Sequence, residues 1–197
     1  MQVIRRVDHC HFDRFGSRAS DDRTVRDTFN AMHPRAPLES EVDLLASLWR
    51  ASWHDGHAHL LPDAIVRYRT LENFTLRLRA DLANVRVMGP PGAPSGLCII
   101  RDDELDQLFV SASARGTGVA AALLADAEAR IAARGVHTAW LACAIGNDRA
   151  ARFYQKHGWD RVGTATKQVR TDEGMVGFDV WRYEKDVGGS TASGNPI

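Results

Sequence analysis

The chain has 197 residues and no formal net charge, since 25 basic and 25 acidic residues balance, and this length suits a single domain. The charge balance argues against nucleic acid as the main partner, because non-specific binding to phosphates depends on a basic excess. No apolar run approaches the roughly 20 residues that cross a membrane, and three widely spaced cysteines favour a cytoplasmic protein with reduced thiols over a disulfide framework.

The two ends of the chain lack the patterns of folded segments. Residues 1–31 mix charges without sustained periodicity, so we expect a mobile extension there. Residues 188–197 are rich in small polar residues and predict a disordered tail. The folded domain is therefore expected over residues 32–187.

The domain begins with two predicted helices. Ser40 and Asp43 form a capping-box signature before a run with apolar residues at helical spacing. Thr70 precedes a second such run. Three short apolar runs follow, over 85–88, 97–100 and 105–110, and the turn "GPPGAPSG" predicts that the first two are antiparallel neighbours.

The second half alternates helices and strands. Gly116 and Gly118 open an alanine-rich helix that Gly135 is placed to end. A buried strand follows, then a helix capped by Asn147 and ended by Gly158, and two further strand candidates lie around 160–170 and 177–184. This order predicts a mixed α/β domain.

The stretch "RGTGVAA" is typical of a loop that holds phosphate at a helix N-terminus. A P-loop would need a lysine after the glycines, which is lacking. Gly116, Gly118 and Ala121 fit the short dinucleotide fingerprint, but the next strand ends "WLACAIG" without the carboxylate that would hold a ribose. A plain strand-to-helix turn is a further interpretation of any such loop.

Two motifs together resemble the GNAT N-acetyltransferase superfamily. Arg115, Gly118 and Ala120 match its [Q/R]-x-x-G-x-[G/A] signature. Residues 145–163 are similar to its following motif, with these residues in register: Asn147, Ala150, Phe153, Tyr154, Lys156, Gly158, Trp159 and Gly163. The resemblance covers about residues 32–187, and it puts the two prolines of "MHPRAP" where the first strand of the family lies, so that strand is expected to be short or irregular.

The resemblance implies a fold and a chemistry. The fold is α/β (α+β), with a central mixed, mostly antiparallel sheet of about six to seven strands flanked by about four helices. The chemistry is direct transfer of acetyl from acetyl-CoA to a primary amine of a small molecule, peptide or protein. No metal is expected, and a homodimer is common in the family.

The resemblance also implies site residues. Tyr154 is expected to be the general acid for the CoA sulfur and Glu104 a possible general base. Strict alternation along the strand would put Glu104, Asp106, Leu108 and Val110 on one face, with Asp106 as a second candidate base. The expected cofactor-binding residues are Phe109, Val110, Ser111, Arg115, Gly116, Thr117, Gly118, Val119, Ala120, Asn147 and Tyr154. Trp53, His54 and His57 are expected near the acceptor.

Several alternatives remain open from the sequence. The protein could be a non-catalytic acyl-CoA-binding or sensing module, or a dinucleotide-dependent oxidoreductase. The histidines of "WHDGHAH" match no common closed zinc site, so a polar loop at the acceptor cleft is favoured over a metal site. Cys143 lies in an apolar strand without an adjoining positive partner in sequence, which favours an inert thiol over a nucleophile.

Overall fold

A computed structural model describes residues 33–188, so the predicted N-terminal extension and residues 189–197 of the predicted tail lie outside the described range. Within that range a six-stranded mixed sheet is flanked by helices, which confirms the predicted fold class. The α-helices are α1 (Val42–His57), α2 (Asp63–Tyr68), α3 (Leu71–Asp81), α4 (Val119–Ala132) and α5 (Asp148–Lys156). The short helix α2 was not indicated by the sequence pattern.

The sheet combines an antiparallel meander with a crossover. Its strands are β1 (Val85–Met88), β2 (Gly96–Arg101), β3 (Glu104–Val110), β4 (Thr138–Ala144), β5 (Asp160–Thr171) and β6 (Gly174–Asp186). They are arranged in the order β1-β2-β3-β4-β6-β5, and only β3 and β4 are parallel neighbours. Helix α4 makes the crossover between these two. The "MHPRAP" segment contributes only an isolated bridge, between Arg35 and Val87.

A buried ion pair joins this N-terminal segment to α1. The Glu41 carboxylate is 1% exposed and accepts two hydrogen bonds from the Arg35 guanidinium, both 2.7 Å long. It also accepts the backbone N–H groups of Leu38 and Gly92. Burial alone would raise the pKa of Glu41, but these hydrogen bonds outweigh it and lower the pKa. Removing one partner of such a buried pair costs on the order of 3–5 kcal/mol.

The helix caps were predicted with mixed success. The side chain of Thr70 accepts the Asn73 N–H, and that of Asn147 accepts the Ala150 N–H, each at 3.2 Å, as predicted. The predicted capping box of Ser40 was wrong. A 3₁₀ turn over Glu39–Glu41 precedes α1, and Glu41 takes the reciprocal role by accepting the N–H of Leu38, because the pairing with Arg35 fixes its carboxylate there.

Two apolar cores cover the two faces of the sheet. On one face α4 and α5 pack on β3, β4 and β6, with these residues among the buried ones: Leu123, Leu124, Ile131, Leu141, Trp159 and Tyr183. On the other face α1, α2 and α3 pack on β1 and β2, and the buried residues include Leu45, Trp49, Ile65, Phe74, Leu78 and Ile99. Within residues 33–188 no helix is both long and apolar enough to span a membrane.

The two parallel strands meet at only one point. Glu104 of β3 and Trp140 of β4 are the single register pair between them, supported by a 3.0 Å hydrogen bond from the Trp140 N–H to the Asp103 carbonyl. Beyond this point the strands are not paired. The sheet therefore opens between β3 and β4 toward their carboxyl ends.

A β-bulge interrupts β3. Its partner strand β2 pairs Ile99 with Gln107 and Ile100 with Leu105, so Asp106 is an extra residue on β3. A bulge of this kind places two consecutive side chains on the same side of a strand. Asp106 and Gln107 consequently share the side of the sheet that faces α1 and α3.

The bulge makes the predicted alternation of β3 wrong. Glu104 and Asp106 do share a side, since both contact Lys167 of β5. Leu108 and Val110 instead pack against the core formed with α4. The extra residue shifts the side-chain alternation by one position, which the sequence pattern alone did not indicate.

Candidate active site

One cavity of about 710 Å³ lies where β3 and β4 separate. It extends from the N-terminus of α4 to the layer of α1, α2 and α3. Most of the predicted site residues line it, namely Trp53, His57, Phe109, Val110, Arg115, Gly116, Gly118, Ala120, Asn147 and Tyr154. The others, which are His54, Glu104, Ser111, Thr117 and Val119, lie nearby in the same elements but are not among the lining residues.

The N-terminus of α4 offers free backbone amides to this cavity. Gly116 and Gly118 have φ angles of 78° and 92°, which favour glycine, and a Cβ added at either would meet no atom within 4 Å. No side chain caps the helix, and the first N–H groups of any α-helix lack intrahelical partners. Together with the positive end of the helix dipole, these amides make the loop suited to binding an anion.

Two arginines lie beside this loop and share one carboxylate. Asp55 of α1 accepts hydrogen bonds from Arg115 at 2.7 Å and from Arg149 at 3.1 Å. The bond from Arg149 and the positive charge of Arg115 lower the pKa of Asp55. Because Asp55 is half-exposed, the pairs contribute little stability and leave a net positive charge beside the anion site. Asp55 and Arg149 were missed from sequence, since Asp55 is 60 residues from Arg115.

The backbone of Val110 also faces the opening. The Ser111 N–H bonds to the Ser95 carbonyl of the chain before β2, so alternate residues of β3, including Phe109, direct their peptide groups toward β2. Val110 lies between them and directs its N–H and carbonyl the other way. The Ser52 hydroxyl donates to this carbonyl at 3.1 Å, and the Val110 N–H points into the cavity.

Tyr154 lines the cavity from α5. Its ring packs on Trp159 and Tyr183, with centroids 6.3 and 6.1 Å away. Burial raises the pKa of the Tyr154 phenol, and the adjacent Cys143 adds to the shift. The hydroxyl therefore carries its proton at neutral pH and is available as a hydrogen-bond donor.

The thiol of Cys143 is also part of the cavity wall. Its side chain is buried, and burial raises the pKa of the thiol to about 12. Since the thiolate is the reactive form, a thiol with this pKa is a poor nucleophile at neutral pH. Cys143 and Cys98 are both free cysteines, while Cys10 lies outside the described residues.

The two candidate carboxylates of β3 differ in position. Glu104 forms a 2.5 Å ion pair with Lys167 and is not a lining residue. Burial raises the pKa of Glu104 and outweighs the opposing effect of Lys167. Asp106 lines the cavity and is 6% exposed, and its Oδ2 is buried without a hydrogen bond but lies 3.3 Å from Arg101 Nη1. Asp106 is therefore the carboxylate in direct reach of a molecule in the cavity.

The histidines of α1 have separate roles. His57 donates its Nδ1–H to the Trp53 carbonyl at 3.1 Å and stacks on the Trp53 ring at 5.4 Å. Burial lowers the pKa of His57 to about 4, so the ring is neutral and its Nε2 is an acceptor at the cavity. His54 instead donates Nε2–H to the Arg69 carbonyl at 3.1 Å.

Among the described residues no three His, Cys, Asp or Glu side chains cluster as metal ligands.

Two further cavity residues were missed from sequence. Arg69 follows α2 and Arg77 lies on α3, and both line the cavity. In the sequence they resemble ordinary charged positions of an amphipathic helix surface. Only the packing of α2 and α3 against β5 and α1 brings them to the same cavity.

Known proteins are similar to this chain mainly over the segment that contributes β3, β4, α4 and α5 to the site. The family model described as "Acetyltransferase (GNAT) family" matches residues 95–159, from the start of β2 to just beyond α5. An uncharacterised N-acetyltransferase of Mycobacterium tuberculosis is 42% identical over 66 residues, which are 34% of this chain and 42% of that protein. The chain thus matches less than half the length of this curated relative.

Solved structures with the same fold cover more of the chain. A GNAT superfamily phosphinothricin acetyltransferase from Sinorhizobium meliloti, in complex with acetyl-CoA, has a TM-score of 0.59 and 18% identity, covering 83% of this chain and 92% of that one. A ribosomal-protein-alanine N-acetyltransferase from Brucella melitensis has a TM-score of 0.59 and 19% identity, covering 78% and 98%. At these identities the similarity shows the fold.

The neutral state of His57 makes stability depend on pH. Its pKa is about 4 in the folded protein against an ordinary value of 6.5, so between these values the unfolded chain binds more protons and stability falls as the pH falls. The contribution of His57 to this loss is on the order of 3 kcal/mol. We expect His57→Phe to flatten the decline of the unfolding free energy between pH 6.5 and 4, measured by urea denaturation. Equal declines in both proteins would show that His57 is not buried in neutral form.

Proposed function

We propose that this chain, whose residues 95–159 match the family model of the GNAT acetyltransferases, transfers an acetyl group directly from acetyl-CoA to a primary amine. The observation that carries the proposal is that the same cavity is lined by two sets of free backbone N–H donors, one at the N-terminus of α4 and one at Val110. The N-terminus of α4, which no side chain caps, forms one part of the cavity wall. The Val110 N–H points into the same cavity between β3 and β4.

The α4 end of the cavity suits the phosphates of coenzyme A. The free amides at the N-terminus of α4, after Gly118, bind the pyrophosphate in this proposal, and Arg115 and Arg149 supply positive charge beside it. The separated strands leave room for the pantetheine arm to lie along β3 in the manner of an added strand. Asn147 lines the cavity while it caps α5, so it is expected to contact the same arm.

The chemical step forms a C–N bond and breaks the C–S bond of the thioester. The Val110 N–H polarises the thioester carbonyl and stabilises the negative charge that develops on its oxygen. Tyr154 donates its phenolic proton, which it carries at neutral pH, to the departing sulfur. Because Cys143 is a poor nucleophile, direct transfer is favoured over an acyl-enzyme.

The acceptor must first lose a proton, since an alkylammonium with a pKa near 10.4 has no lone pair for attack. We assign the role of base to the linked group of Glu104, Lys167 and Asp106. Asp106 faces the cavity, and Glu104 lies behind it through the shared contact with Lys167. The ammonium loses two protons in the whole reaction. One passes to solvent through this group of residues, and the other returns to the Tyr154 phenolate after Tyr154 has protonated the coenzyme A sulfur.

Substitution of Gly118 tests the cofactor site. Gly118→Glu puts a carboxylate into the anion site, so we expect coenzyme A affinity, measured by calorimetry, to fall by more than about 100-fold. Gly135→Glu is the matched control, because Gly135 follows the other end of α4, has a φ of 81° and also has open space at its Cβ. It should keep affinity within about threefold. Retained affinity in Gly118→Glu would undo the assignment of the loop.

Substitution of Tyr154 tests the catalytic role. We expect the protein to release coenzyme A with some member of a panel of primary amines, and Tyr154→Phe to lower kcat by about 100-fold with unchanged acetyl-CoA affinity. Tyr183→Phe is the control, since the Tyr183 hydroxyl is buried without a hydrogen bond and lies outside the site. Unchanged kcat in Tyr154→Phe would remove it from the acid role. Cofactor binding without turnover of any amine would instead favour a non-catalytic acyl-CoA-binding module.

A further inference from the structure

The part of the cavity bounded by α2, α3 and β5 carries more positive than negative side chains. Four basic residues line it, namely Arg69, Arg77, Arg101 and Lys167. Three carboxylates belong to the same cluster, and all three pair with only two of these bases. Lys167 contacts Glu104 at 2.5 Å and Asp106 at 3.8 Å. Arg101 contacts Asp81 and also Asp106, the latter at 3.3 Å.

Arg77 is left without a carboxylate or any hydrogen-bond acceptor among the described residues. Its guanidinium lies over the Trp49 ring, 4.3 Å from the centroid, and 5.9 Å from the centroid of Phe74. Stacking of this kind orients the plane of the group and leaves its N–H donors free at the edge. Burial lowers the pKa of Arg77 to about 10, so the group is still charged at neutral pH. A partly desolvated cation of this kind is stabilised when a ligand supplies an acceptor.

Arg69 is the second base without a carboxylate. One of its terminal nitrogens donates to the Asn73 side chain at 3.0 Å, while Nε is buried without an acceptor. Its backbone is held in place, because the Arg69 carbonyl accepts the Nε2–H of His54 and its N–H bonds back to α2. His54 is thus a positioning residue for Arg69. Two guanidinium groups on fixed elements therefore line the same cavity and lack a counter-ion within the described chain.

We propose that the acceptor is a small amino-carboxylate, whose anionic group is bound by Arg77 and Arg69. This inference rests on the acetyltransferase function proposed above. A guanidinium matches the two oxygens of a carboxylate in geometry as well as charge. The cavity volume of about 710 Å³ falls in the range of small-molecule sites.

Asp106 completes the recognition of such a zwitterion. Its carboxylate lines the same cavity and is the acceptor that an ammonium group requires, beside its contacts with Arg101 and Lys167. Binding the carboxylate at the arginines and the ammonium at Asp106 holds the acceptor by both ends. The amine is then held on β3, the strand that also presents the Val110 N–H.

Matched acceptors test the inference. Each common amino acid is compared with its α-carboxamide, which has the same shape without the negative charge, by the rate of coenzyme A release. We expect kcat/KM for the best amino acid to exceed that of its carboxamide by about 100-fold or more, because the amide leaves the arginines unpaired. Arg77→Met, which retains packing on Trp49, should reduce this ratio at least tenfold, mainly through KM, and Arg77→Lys should restore part of it.

Arg79→Met is the matched control, since Arg79 lies on the same helix but does not line the cavity. Its side chain is exposed and makes only a long contact of 4.0 Å with Asp43. It should leave the ratio unchanged. Arg69→Gln provides a second variant in case Arg77→Met lowers Tm strongly, and it should also reduce the ratio. If no amine of any charge releases coenzyme A, the proposed function itself fails. If carboxamides or cationic amines are acetylated as well as the amino acids, or if Arg77→Met lowers both rates equally, the acetyltransferase stands and the amino-carboxylate inference is wrong.

Discussion

The separation of β3 from β4 is the constraint on which the site depends. The two strands share one register pair, Glu104 with Trp140, and α4 crosses between them. Beyond that pair, every second residue of β3 directs its peptide groups away from β2, toward a side where no strand pairs with them. Polar backbone groups inside a fold need partners, so this opening is suited to a ligand that presents its own amides. The Val110 N–H and the free amides of α4 follow from the same geometry.

Charge divides the cavity into two ends. At one end the N-terminus of α4, with Arg115 and Arg149 beside it, is proposed to bind the phosphates of the donor. At the other end Arg69 and Arg77 are proposed to bind an anionic group of the acceptor. Two anion-binding sites at opposite ends of the cavity would keep each molecule at its own end. Positioning of this kind accounts for much of the rate that a transfer reaction requires from its enzyme.

Most features that depend on residues close together in the sequence could be predicted from it, the cap at Ser40 being an exception. The caps of Thr70 and Asn147 and the glycine loop before α4 are local, and the structure contains them. The bulge at Asp106 could not be predicted, because it arises from the pairing of β3 with β2. Likewise Arg69, Arg77 and Asp55 join the site only through helix packing. These three residues are charged, but a charged residue on the exposed face of a helix produces the same sequence pattern as one that lines a cavity.

The central claim is that coenzyme A binds between β3 and β4, against Val110 and the N-terminus of α4. Backbone amide chemical shifts recorded by NMR during a titration measure this directly. On addition of coenzyme A the amide signals of Val110, Gly116, Gly118 and Ala120 should shift most, while NAD(P) should leave them unchanged. Shifts at these amides with NAD(P) but not with coenzyme A would contradict the account and favour a dinucleotide-dependent oxidoreductase.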